Sequence, residues 1–243
     1  MSLDKDSIIT YLKQTSEGEA ELPLEMTESL SEEQPLSTLS NVTIPEVITP
    51  KSKLDLSGLN SLEEVSAIAH TCTLCPLSRG RNKVVFGVGN PHARLMFIGE
   101  GPGADEDRLG EPFVGRAGQL LTKIITAMKL SREEVYITNV VKCRPPNNRN
   151  PELEEATTCL PYLHKQVELV NPEFIVLLGL VASTYMIQDP AITIRDLRAK
   201  EHSFHGKPMF VTYHPAALLR NPALKRPVWE DMQKVMKLLG ISE

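Results

Sequence analysis

RLMFIGEGPG, residues 94–103, decides the fold class of this chain. Residues 94–99 form a short apolar run of the length of a buried strand, and residues 100–103 form a tight Gly/Pro turn. Three more runs of this kind follow: VYITNVV (135–141), FIVLLGL (174–180) and PMFVTY (208–213). Helical patterns separate them. Leu120, Leu121, Ile124, Ile125 and Met128 recur at helical spacing within residues 118–130. Asn150 and Pro151 read as the N-cap and first turn of another helix, which Pro161 is expected to kink or divide. Residues 182–187 and 229–239 are expected to be helical. Upstream, Ser61 and Glu64 form a capping box that opens a helix over residues 62–70.

Apolar strands alternating with helices imply an α/β fold with a parallel sheet covered on both faces. Ligands of such sheets bind beyond the carboxyl ends of the strands. Residues 100–103, 138–139 and 214–215 fall at that edge and are expected to share one crevice.

The residues at this edge are chemically distinctive. The glycines of GEGPG (99–103) allow close backbone approach to a ligand, although an ordinary βα turn uses them too. The turn has neither the Lys-Ser/Thr of a P-loop nor the G-x-G-x-x-G pattern, which disfavours nucleotide-cofactor binding. Asn139 can donate and accept at once, as a base edge with a carbonyl and an N–H requires; it could equally close a turn. His214 precedes Pro215, which extends it off the strand end, where imidazole can meet developing negative charge or fill a structural role. Phe113 can stack on a flat ligand or fold back onto the core. Arg116, Lys142, Arg144, Arg149, Arg220, Lys225 and Arg226 are phosphate-contact candidates as a group, each one by itself reading more readily as an ordinary solvated charge.

The chain has four cysteines, Cys72, Cys75, Cys143 and Cys159, in the pattern C-x2-C, 67 residues, C, 15 residues, C. They make one tetrathiolate set, able to hold a [4Fe–4S] cluster or a structural zinc. Long, unequal spacing suits a cluster better than a zinc ribbon; plain reduced thiols are the remaining reading.

Composition bounds the rest. The 243 residues, 41% hydrophobic, suffice for one domain with a sizeable core. There is neither a span-length apolar run nor a secretory signal pattern, so no membrane partner and a cytoplasmic location are expected. The net charge of −5 is uneven: residues 1–50 carry ten acids and two bases, a net −8, which leaves +3 on the remainder. Residues 1–56 are therefore expected to be a disordered acidic extension, and residues 57–243 the folded domain. A short apolar patch at Ile8, Ile9, Tyr11 and Leu12 offers a docking point for a protein partner. A mildly basic body can bind DNA if its bases gather on one face.

Taken together, the Cys72/Cys75 pair, GEGPGADED (99–107), EPFVGRAGQLL (111–121), TNVVKCRPPNNRNP (138–151), Cys159 and HPAALLRNP (214–222) resemble the thermostable-type, family-4 uracil-DNA glycosylases of bacteria and archaea. The resemblance runs from about residue 62 to residue 239. It implies a three-layer α/β/α sandwich around a central four-stranded parallel sheet, with a [4Fe–4S] cluster on the four cysteines. It also implies that Glu100, Gly101 and Pro102 line a uracil pocket and that Phe113 stacks on the base. Asn139 would read the O4/N3 edge, and His214 would hydrogen-bond O2 of the leaving base. Glu100, Asn139 and His214 would be the catalytic set. Arg116, Arg144, Arg149, Arg220 and Lys225 would contact DNA, and residues 214–222 would enter the minor groove. The implied activity is excision of uracil from single- or double-stranded DNA by a monomer. A non-catalytic DNA-replication accessory protein on the same fold is the alternative, and a zinc-stabilised nucleotide hydrolase a more distant one.

Overall fold

The structure, a computed structural model, describes residues 54–188 and 193–242. The apolar patch at residues 8–12 and most of the expected acidic extension lie outside the described residues.

In chain order the elements are α1 (Leu62–Thr71), β1 (Val88–Gly89), β2 (Leu95–Gly99), α2 (Ala104–Leu109), α3 (Arg116–Ala127), β3 (Tyr136–Asn139), α4 (Leu153–Val170), β4 (Phe174–Leu178), α5 (Leu180–Ile187), α6 (Ile194–Arg198), β5 (His202–Phe204), β6 (Lys207–Thr212), α7 (Pro215–Arg220) and α8 (Lys225–Leu239). The sheet order is β1-β3-β2-β4-β6-β5. The four inner strands are parallel, with Gly99 opposite Asn139, Ile98 opposite Leu177, and Leu178 opposite Thr212. The expected four-stranded parallel sheet is thus the centre of a six-stranded one. The two additional strands, β1 and β5, are short antiparallel edges.

Strand side chains alternate between faces. Met96, Ile98, Ile175 and Leu177 pack against α4 and α5 through Ala156, Leu160, Leu163, Ala182 and Met186. Leu95, Phe97, Val176 and Leu178 pack against α3 and α8 through Leu121, Ile125, Met232, Val235 and Met236. These are the three layers. A smaller cluster of Leu56, Val65, Ala69, Val84, Phe86 and Tyr162 seats α1 on the outer side of α4. The expected capping box holds α1: Ser61 Oγ accepts from the Glu64 N–H at 3.2 Å, and the Glu64 carboxylate accepts from the Ser61 N–H at 3.1 Å. No helix among the described residues is long and apolar enough to cross a membrane.

Two local expectations are corrected. Asn150 does not cap α4; the cap is Glu152, whose N–H donates to the Glu155 carboxylate at 2.8 Å. The Arg149 guanidinium also donates to the Glu155 carboxylate, at 2.7 and 2.8 Å. Pro161 does not divide α4, which runs through it as one element. An interior proline costs about 3 kcal/mol, but α4 is buried on two sides, by the sheet and by α1, and that burial keeps it continuous.

Candidate active site

A cleft of about 510 Å³ lies beyond the carboxyl ends of β2, β3 and β6. Its walls include Glu100, Gly101, Pro102, Phe113, Asn139 and His214, so the site residues expected from the sequence converge there.

Asn139 ends β3 and is 1% exposed, and its side-chain Oδ1 has no hydrogen-bond partner. A buried polar atom left unpaired costs about 1–3 kcal/mol. A Cβ on Gly99 would collide with both this oxygen and the Phe113 ring, so the absence of a side chain at Gly99 leaves room for both groups.

Phe113 has a left-handed backbone, φ 54°, which is costly for an aromatic residue. Its surroundings hold it there. Arg132 donates to the carbonyls of Phe113 and Pro112 at 3.1 and 2.9 Å. The Glu106 carboxylate accepts from the N–H groups of Val114 and Gly115 at 2.9 and 2.8 Å. Gly118 packs so tightly on the Phe113 backbone that no Cβ fits. The ring lies 5.7 Å from that of His214, tilted by 34°.

His214 caps α7. Its Nδ1 accepts the Ala216 N–H at 3.1 Å, so the neutral ring carries its proton on Nε2. Burial, reinforced by the Arg220 charge, pulls its pKa down to about 4 and keeps it neutral at pH 7. Gly179, at φ 92°, leaves room for it: a Cβ there would sit 2.9 Å from the His214 Cβ. Burial pushes the Glu100 carboxyl up to about 7.

The expected phosphate contacts divide. Arg220 lines the cleft and Arg116 is exposed at the start of α3. Lys225 opens α8. Arg144 Nε donates to Asn148 Oδ1 at 2.8 Å. Arg149 also lines the cleft, but its guanidinium is engaged by Glu155. Lys142 is not a surface charge at all; it is 2% exposed, and burial lowers its pKa to about 7. The signal was there in VVKC, a lysine inside an apolar run. Glu106 and Asn148 line the cleft and were missed, as was Arg132 behind it. Glu106 offered one clue, the acidic run ADED directly after the turn.

The four cysteines form no disulfide, and Cys143 is buried while the others are half-buried. Cys72 and Cys75 act electrostatically on Cys143, and Cys75 and Cys143 on Cys159. Burial raises the Cys75 and Cys143 thiols and pushes Cys159 up to about 12. N–H groups point at sulfur, among them Arg81 Nη1 to Cys143 Sγ at 3.3 Å and the Lys142 backbone to Cys159 Sγ at 3.4 Å. Among the described residues no group of three or more His, Cys, Asp or Glu is arranged to hold a single metal ion. A cluster makes no such demand, because each thiolate meets its own iron.

Fold and cleft define an α/β protein with an aromatic ring, an amide and an imidazole gathered at its strand tips. Residues 86–233 match the family model of the uracil DNA glycosylase superfamily. The chain is 45% identical over 181 residues to the type-4 uracil-DNA glycosylase of Thermotoga maritima, covering 73% of this chain and 94% of that one. It is 42% identical over 189 residues to the type-4 enzyme of Archaeoglobus fulgidus, covering 75% and 95%. A type-5 uracil-DNA glycosylase of Pyrobaculum aerophilum is 30% identical over 172 residues, 62% of this chain and 76% of that one. The chain therefore belongs to the type-4 branch of the uracil-DNA glycosylase superfamily.

Proposed function

We propose that this protein excises uracil from DNA, hydrolysing the N-glycosidic bond to leave free uracil and an abasic site. The observation that carries this reading is the buried, unpartnered Asn139 amide oxygen in one cleft with the Phe113 ring and the neutral His214. An acceptor left unpaired in the free protein is matched when a ligand N–H arrives, as uracil N3–H would.

The glycosidic bond is unreachable inside a stacked duplex, so the nucleotide must rotate out, at a cost of a few kcal/mol. The extruded ring then stacks on Phe113. Cytosine lacks the N3–H and would leave Oδ1 unpaired, a mismatch able to discriminate by about 10⁴ in a closed site. As the C1′–N1 bond lengthens, negative charge grows on uracil O2, and the His214 Nε2–H can donate to it. One preorganised donor of this kind is worth about 3 kcal/mol. Water then adds to C1′ and gives up a proton, and the departing uracil anion takes one up, which leaves an abasic sugar and neutral free uracil. Arg116, Arg144, Arg220 and Lys225 are the proposed DNA contacts. Arg149 is assigned instead to bracing the start of α4 through Glu155.

The same reading gives the protein a [4Fe–4S] cluster on Cys72, Cys75, Cys143 and Cys159. Buried thiols with raised pKa values become thiolates only when cationic irons and N–H donors compensate the charge, and Arg81 and the Lys142 backbone supply such donors. The cluster's contribution is structural, tying the segment after Cys75 to β3 and α4. The test of function is incubation with a single-uracil oligonucleotide. Free uracil and an alkali-labile site are expected; an intact strand overturns the proposal.

A further inference from the structure

The network beneath the cleft assigns a role to Lys142. Its side chain folds back three residues along the chain, and Nζ lies 2.6 Å from the Asn139 carbonyl, 2.8 Å from Thr138 Oγ1 and 2.6 Å from Gln166 Oε1. Three acceptors match the three N–H groups of an ammonium. Each partner is itself tied down. Thr138 Oγ1 donates to the Phe86 carbonyl at 2.8 Å. Gln166, fully buried on α4, donates to the same carbonyl at 2.9 Å and to the Tyr136 hydroxyl at 3.1 Å. The Lys142 side chain thus fastens the last two residues of β3 to the helix behind the sheet.

We propose that Lys142 is a positioning residue that fixes the backbone of Asn139, and with it the direction in which the amide faces the base. An orphaned Oδ1 needs such a device, because an unpaired buried acceptor gains by turning towards any donor within reach. The backbone cannot yield while its carbonyl is held from below. The inference rests on the reading of Asn139 as the group that recognises the base.

The test is a double-mutant cycle on single-turnover uracil release, using Lys142→Met and Asn139→Ala in the full chain. Lys142→Met is expected to slow release by about 10²-fold, the scale of a misplacement near 1 Å. In the Asn139→Ala background the same substitution should cost less than about twofold, because the residue it positions is gone. Equal losses in both backgrounds overturn the proposal and leave Lys142 a purely structural group. Thermal midpoint and visible absorbance, measured on each variant, separate lost folding or lost cluster from lost positioning. If Lys142→Met does not yield folded protein, Gln166→Met enters the same cycle with the same expected outcomes, since it removes the helix end of the bridge. A wild-type protein that releases no uracil defeats the underlying function, not this coupling alone.

Discussion

The Ala216 backbone N–H donates to Nδ1 of His214 across 3.1 Å, which leaves Nε2 as the ring's only donor. The same bond caps α7, so the start of that helix and the protonation pattern of the imidazole are set together.

A stability signature follows from the His214 pKa, lowered to about 4 from an ordinary 6.5. Between those values the unfolded chain takes up a proton that the folded chain refuses, so this contribution is whole above pH 6.5 and fades as pH falls towards 4. The wild type should lose more thermal stability between pH 7.5 and pH 5 than His214→Gln. Parallel losses would show that His214 titrates normally.

Asn139 retains its amide at the expense of stability, since its Oδ1 is buried and unpaired. Asn139→Leu, which keeps the branched heavy-atom skeleton and removes both polar atoms, should stabilise the fold by about 1–3 kcal/mol in denaturant unfolding while reducing uracil release. A less stable variant would mean that the oxygen has a partner in solution.

Glu100 behaves oppositely to His214. Burial raises its carboxyl to about 7 from 4.5, so the folded state holds the proton more tightly. Its contribution is present below pH 4.5 and lost as pH rises through 7. Glu100→Gln should match the wild type in thermal midpoint at pH 4.5 and exceed it at pH 8.5. No gap at the higher pH would place Glu100 in open solvent.

The sequence disclosed the parallel sheet because β2, β4 and β6 each carry an apolar run next to a turn. The edges β1 and β5 are two and three residues long and partly exposed, too short for periodicity to register. Asn139, His214 and Glu100 were legible because strand ends are marked by a switch from apolar residues to one polar or turn residue, and Phe113 because it is an aromatic residue set between a proline and a Val-Gly-Arg loop. Arg132 and Glu106 were not, since they act through backbone groups distant in sequence or on a loop with no pattern of its own. Lys142 was misread because a lysine beside CRPP looks solvated until Gln166, 24 residues on, is brought over it.

Cys143→Ala should abolish the brown visible absorbance of the purified protein and lower its thermal midpoint. Cys143 bonds to Arg81, which also holds the Cys72 carbonyl at 2.8 Å, so its loss loosens the junction of α1 with β3. A colourless wild-type protein would remove the cluster from the account, and an unchanged midpoint would remove its structural role.

The most direct measurement is single-turnover release of uracil from a U·G duplex by wild type and by His214→Ala with its fold confirmed. The account predicts free uracil from the wild type and a rate about 10²–10³-fold lower in the variant, the loss expected for one preorganised donor to a developing oxyanion. Equal rates for the two proteins would contradict it.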